Sequence, residues 1–283
     1  MPPPPLEPHP RQLERMLLDL APRNEDNVSR TASYLELYAS TRVHPPDLPW
    51  VLMAHLVSRN GGYMMTDRGA SLSRTDGMFT AAALQSLFLF LERANYLIFY
   101  DAWWHVLHHL LGRSADLSVP RVTKFTATRC WPAYERGIRE RGPTAEVERA
   151  LVHDLVTNEQ NFIERRVVHH PRFEAARAIV GFLESIGRDA PLVVPCSDAV
   201  ITVGRFAELG RRIETGHRLF DEVLADRQRR DEIYAWACEH PHSGSRAIYG
   251  GRAGPGLRDV WPVQRVRALW SDVHSEPEID PGW

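Results

Sequence analysis

From Arg11 onward, apolar residues recur at the three-to-four-residue spacing of amphipathic helices, and strand-like alternation is almost absent. That periodicity restricts the chain to architectures in which helices pack on helices. Helices are expected over residues 11–21, about 26–40, 48–59, about 77–111, 132–141, 144–169, 171–186 and about 205–239. Pro22 stops the first, and the Gly61–Gly62 pair stops the third. One β-branched run, LVVP followed by AVITV around Cys196, reads as a short extended segment. From His240 the chain is loop-like until a last helix over 262–273. No internal repeat or linker interrupts it. The expectation is a mainly α fold: a proline-rich tail at 1–10, a single multi-helix domain over 11–250, and a loop-rich C-terminal tail with a short helix over 251–283.

Composition excludes several classes. Lys plus Arg number 34 against 36 Asp plus Glu, a net charge of −2 without a long basic block, so no nucleic-acid partner is expected. The three cysteines, Cys130, Cys196 and Cys238, are far apart and odd in number, which fits reducing cytoplasm better than a disulfide framework. The N-terminus lacks the basic start and apolar core of a signal peptide. The most apolar segment, 77–91, meets Glu92 and Arg93 before reaching the roughly 20 residues of a membrane span, so no integral membrane segment is expected.

The 144–169 helix carries Glu146 and Glu148 in its first turn and Arg165 and Arg166 near its end, in keeping with its dipole. At 100° per residue, Leu151, Val152, Leu155, Phe162 and Ile163 form an apolar arc with Glu159 in its middle, while Asp154, Asn158, Asn161 and Arg165 form a polar ridge at its edge. An unpaired carboxylate there costs several kcal/mol, so a counter-charge must come from another helix. On the 77–111 helix the apolar stripe runs through Asn95, with Glu92 one turn before it and Arg93 alongside. In SRNGGYMMTDRG, Ser58 to Gly69, the residues Arg59, Asn60 and Asp67 surround what reads as a helix end. These groups are expected to meet in a buried polar cluster, with Arg59 or Arg93 reaching Glu159 and Asn95 close by.

Metal motifs are weaker. Asp101, His105 and His108 or His109 have i, i+4 and i+7 or i+8 spacing on one helix face, and His153–Asp154 forms an HD pair that, with His108 or His109 before it and Asp198 or Asp221 after it, sketches a metal-dependent phosphohydrolase. Glu92 lies on the far side of its helix from Asp101, and core or edge histidines are the commoner outcome, so no metal and no cofactor are expected.

The stretches NVSRTASYLELY, AHLVSRNGGYMMTD, FLERANYLIFYDA, NEQNFIERRVV and HPHSGSRAIY, beginning at Asn27, Ala54, Phe90, Asn158 and His240, resemble the uncharacterised bacterial family typified by YppC. The resemblance implies one continuous unit and no established activity, so no catalytic residue follows from it. Two readings of the cluster remain: a pocket for a small polar ligand, lined by Arg59, Asn60, Asp67, Glu92, Arg93, Asn95, Asn158, Glu159, Asn161 and Arg165, or a satisfied structural network in a scaffold or interaction protein. Whether the chain is an enzyme, and what protein partner it has, the residues leave open.

Overall fold

A computed structural model of the chain describes residues 24, 26–43, 49–73, 79–111, 127–185, 192–195, 200–203, 208–244 and 267–277. The expected helix at 11–21 and the side chains of Asp67 and His109 lie outside the described residues. The fold is mainly α. Its helices are α1 Asn27–Val43, α2 Pro49–Ser73, α3 Ala81–Leu111, α4 Ala127–Arg141, α5 Ala145–Ile163, α6 Glu174–Ser185, α7 Leu209–Leu219 and α8 Arg227–Glu239. The β-branched run forms a hairpin, in which β1 Leu192–Pro195 pairs antiparallel with β2 Val200–Val203. Among the described residues no helix is long and apolar enough to cross a membrane.

Side-chain caps set several boundaries. Thr144 Oγ1 accepts from the Val147 amide at the start of α5, and Glu146 and Glu148 follow in the first turn. The single helix expected over 205–239 is two helices. Asp226 Oδ1 accepts from the amides of Gln228, at 2.8 Å, and Arg229, at 3.4 Å, which starts α8 afresh after a π-helical turn, Phe220–Leu224.

The expected stop at Gly61–Gly62 is corrected: α2 runs through both glycines to Ser73. A Cβ on Gly61 would stand 2.8 Å from Asn95 Oδ1, so this glycine permits α2 and α3 to touch at Asn95 rather than ending a helix. Asn95 in turn donates from Nδ2 to the Leu91 carbonyl at 2.9 Å, which fixes its amide against that contact. Gly61→Ala is therefore expected to cost about 1–3 kcal/mol by overpacking, although alanine is the better helix former. Combining it with Asn95→Ala should recover most of the loss. Urea unfolding midpoints check this, and a single variant as stable as the parent would remove close approach as the reason for Gly61.

Two large apolar clusters fill the interior. One joins Tyr34, Leu37 and Tyr38 of α1 to Leu52 and Leu56 of α2, to β1, and to Val223 and Ile233 near α8. The other gathers Leu87, Leu91 and Leu97 of α3 with Phe162, Phe173, Ile179 and Val273. Val273, in the stretch expected to be a tail, is fully buried. Polar contacts from α3 hold it there.

Candidate functional site

Successive residues of a helix point about 100° apart, so consecutive positions reach different neighbours only where the helix is buried all round. Residues Ser58 to Gly61 are all buried. Each contacts a different element. Ser58 serves α1: its Oγ is 2.7 Å from Thr31 Oγ1 and accepts from Arg30 Nε at 3.1 Å, and its carbonyl accepts from Asn27 Nδ2 at 2.6 Å. Arg59 donates to the His240 carbonyl and lies 4.5 Å from the Trp236 ring. Asn60 pairs with the β1 backbone in both directions, Nδ2 to the Val193 carbonyl at 2.8 Å and Val193 N–H to Oδ1 at 2.6 Å. Gly61 meets Asn95. This turn of α2 is the hub of the fold.

Around it, basic groups converge from three segments. Arg30 of α1 is 2 % exposed, and His55 and Arg59 of α2 are 1 % and 0 % exposed. His242, just past α8, hydrogen-bonds through Nε2 to Asn27 Oδ1 at 2.5 Å. His55 Nδ1 lies 2.9 Å from the Thr31 carbonyl. Burial, with Arg59 adding to it, lowers the His55 pKa to about 4 despite the Thr31 bond. Burial lowers that of His242 to about 3, helped by Arg59, His55 and Arg30. Arg30 makes no ion pair among the described residues: Nη1 donates to Asn24 Oδ1 at 3.3 Å and the guanidinium lies 4.5 Å from the Phe99 ring, but Nη2 is buried without a hydrogen-bond partner. His55 Nε2 and His242 Nδ1 share that condition. Burial pulls Arg30 below its ordinary pKa, with Glu92, Tyr34 and Asp26 drawing it back. Buried polar atoms are ordinarily paired, and here three unpaired ones lie on side chains whose charges act on one another.

The other residues expected at one cluster are divided among several places. Glu92 and Arg93 hold the C-terminal stretch: Glu92 Oε1 accepts from His274 Nε2 at 2.8 Å, and Arg93 Nη1 donates to the carbonyls of Val273, at 3.1 Å, and Ser275, at 2.5 Å. Asn158 donates to Cys130 Sγ at 3.4 Å and to the Asp154 carbonyl at 2.8 Å. Asn161 and Arg165 are exposed. The expected pairing of Glu159 with Arg59 or Arg93 is corrected, because both guanidiniums are directed to backbone carbonyls elsewhere. Glu159 keeps some residue exposure, yet its carboxyl is desolvated. Desolvation raises its pKa to about 7, Asp101 adds to the rise, and Arg212 opposes it.

On the metal face drawn from the sequence, His105 has both ring nitrogens committed. Trp131 Nε1, a donor only, gives its hydrogen to His105 Nδ1 at 2.9 Å, so His105 Nε2 carries a hydrogen and donates to Asp101 Oδ2 at 3.2 Å. His153 and Asp154 are half-exposed and meet each other at 3.5 Å. Among the described residues no group of three His, Cys, Asp or Glu side chains is placed to hold a metal ion. The HD-type reading gains no support.

Sequence reasoning points to Arg59 and Asn60 but not to Asn27, Arg30, His55, Ser58 or His242. The available signal was polarity at core-facing positions: Arg30 and Thr31 interrupt α1 between Asn27 and Tyr34, and His55 and Ser58 share the inner face of α2.

A family model described as a protein of unknown function, DUF2515, matches residues 22–276. The chain is 31% identical over 260 residues to the uncharacterised protein YppC of Bacillus subtilis (strain 168), an alignment covering 85% of this chain and 75% of that protein. No solved structure matches it. Segments contributing to the hub, from Asn27 in α1 to His242 after α8, all fall inside the matched range. The chain belongs to the DUF2515 family, whose function is unknown.

Proposed function

We propose that this protein binds a small anionic ligand at the buried cluster of Arg30, His55, Arg59 and His242, and that it does so in the cytoplasm. The observation that carries the reading is Arg30: a buried guanidinium without an ion pair among the described residues, its Nη2 lacking a partner. Burying such a charge uncompensated is costly, and a bound anion is the usual compensation. The cytoplasmic placement rests on the odd, scattered cysteines, of which Cys130 and Cys238 are unbridged. The structural-network reading is favoured away from this cluster, at Asn60, whose amide is fully engaged with Val193 and Leu56, and at Glu92, Arg93 and Asn158, which bond His274, the Val273 and Ser275 carbonyls, and Cys130.

Arg30→Met separates the two. If Arg30 serves a ligand, the variant without anion is expected to be at least as stable as the parent, because a buried charge with no ion pair among the described residues has been removed while Ser58 keeps Thr31. The parent's thermal midpoint should rise with added anion at constant ionic strength, by mass action, and the variant's should not. A variant that loses about 3 kcal/mol or more, with no anion response in the parent, is the result a purely structural arginine gives.

A further inference from the structure

The two histidines of the cluster present lone pairs rather than hydrogens. The Thr31 carbonyl can only accept, so the ring hydrogen of His55 is on Nδ1, leaving Nε2 bare. Asn27 donates from Nδ2 to the Ser58 carbonyl, which assigns its Oδ1 as an acceptor. His242 therefore carries its hydrogen on Nε2 and leaves Nδ1 bare. Burial and the neighbouring guanidiniums keep both rings neutral, in line with their lowered pKa values. Both bare nitrogens are buried and without a hydrogen-bond partner among the described residues, and so is the Arg30 Nη2 donor.

A ligand thus has to meet two opposite demands. It must bring negative oxygen to Arg30 and a hydroxyl hydrogen to each imidazole. A divalent cation would satisfy the lone pairs, and each ring has the outward hydrogen bond that metal-bound histidines show, but the positive charges of Arg30 and Arg59 oppose it. An ionised carboxylate or sulfate satisfies the guanidinium and sets oxygen lone pairs against nitrogen lone pairs. A protonated phosphoryl group meets both demands: dihydrogen phosphate carries two P–OH hydrogens, one for each imidazole, together with negative oxygen for Arg30.

We propose that the cluster selects a proton-bearing phosphoryl group over aprotic anions of the same shape, with Arg30 as donor and His55 Nε2 and His242 Nδ1 as acceptors. This rests on the anion-binding reading above. Dihydrogen phosphate brings both hydrogens on its phosphoryl group, whereas a protonated phosphomonoester brings one and needs a hydroxyl of its organic part for the other imidazole.

Calorimetric titration of the full chain with inorganic phosphate, sulfate and glycerol 3-phosphate at pH 6, near the second pKa of a phosphomonoester, tests it. Phosphate should bind at least about 100-fold more tightly than sulfate, since a site built around a hydrogen bond rejects the analogue that cannot make it. Glycerol 3-phosphate binding comparably supports an organic phosphate as source, and its exclusion supports free phosphate. In His55→Gln and, independently, His242→Gln, an amide hydrogen can replace the lone pair, so discrimination should shrink at least about tenfold. Equal affinity for phosphate and sulfate in the parent would overturn the selectivity while leaving the anion site standing. No binding of either ion would overturn both, and discrimination unchanged in both variants would overturn the role given to the histidines.

Discussion

Glu159→Gln should make this protein more stable at pH 8, by about 3 kcal/mol. The pKa of the carboxyl is raised from 4.5 to about 7 in the folded chain, chiefly by desolvation. A folded state with a raised carboxyl pKa holds its proton more tightly than the unfolded chain, so that stabilisation is fully present below pH 4.5 and is lost as pH rises through 7. Above that, the folded chain must keep a desolvated carboxylate ionised, at a cost of roughly 1.4 kcal/mol for each tenfold gain in proton affinity. Glutamine keeps the shape and never ionises. Urea unfolding of both proteins between pH 5 and pH 8 should show a small difference at pH 5 that widens steadily and levels off beyond pH 7. A glutamine variant about 3–5 kcal/mol less stable at pH 8 is what a buried arginine pair would give, and would contradict the placement of Glu159 beside Asp101.

Glu92→Ala should lose about 3–5 kcal/mol, because it breaks a buried pair and leaves His274 without its partner. The side chains of His274 and Glu92 are 4 % and 6 % exposed at 2.8 Å, so solvent cannot take over the missing bond. The same carboxylate is the largest charge sustaining Arg30 against burial, which adds to the expected loss. Around it, His274 lies 5.3 Å from the Tyr96 ring of α3 and Trp270 packs on Phe173, just before α6, also at 5.3 Å, so the stretch 267–277 is held to α3 and to the start of α6 by polar and aromatic contacts together. Chemical unfolding gives the loss, and limited proteolysis should cut the variant within 267–277 sooner than the parent. A change below about 1 kcal/mol, with unchanged proteolysis, would contradict the clamp.

The helical architecture was legible because helix period and capping are local. Thr144 with its acidic first turn marks α5 without reference to any other segment. Gly61 misleads for the complementary reason: glycine both ends helices and admits close neighbours, and only the position of Asn95 on another helix decides between them. Glu159 shows the same limit. A helical wheel puts it on the buried side of α5, but it does not say that Asp101 and Arg212 face it while Arg59 turns to His240. Arg30 and His242 are 212 positions apart in the chain, and nothing local connects them. What joins them is Asn27, which bridges Ser58 and His242.

The anion site is tested most directly by a crystal structure of the full chain grown with phosphate and without sulfate. The expected result is a tetrahedral oxyanion with oxygens roughly 3 Å from Arg30 Nη2, His55 Nε2 and His242 Nδ1. A side-chain carboxylate of the chain itself bonded to Arg30 at that place, with phosphate absent from it, would contradict the account.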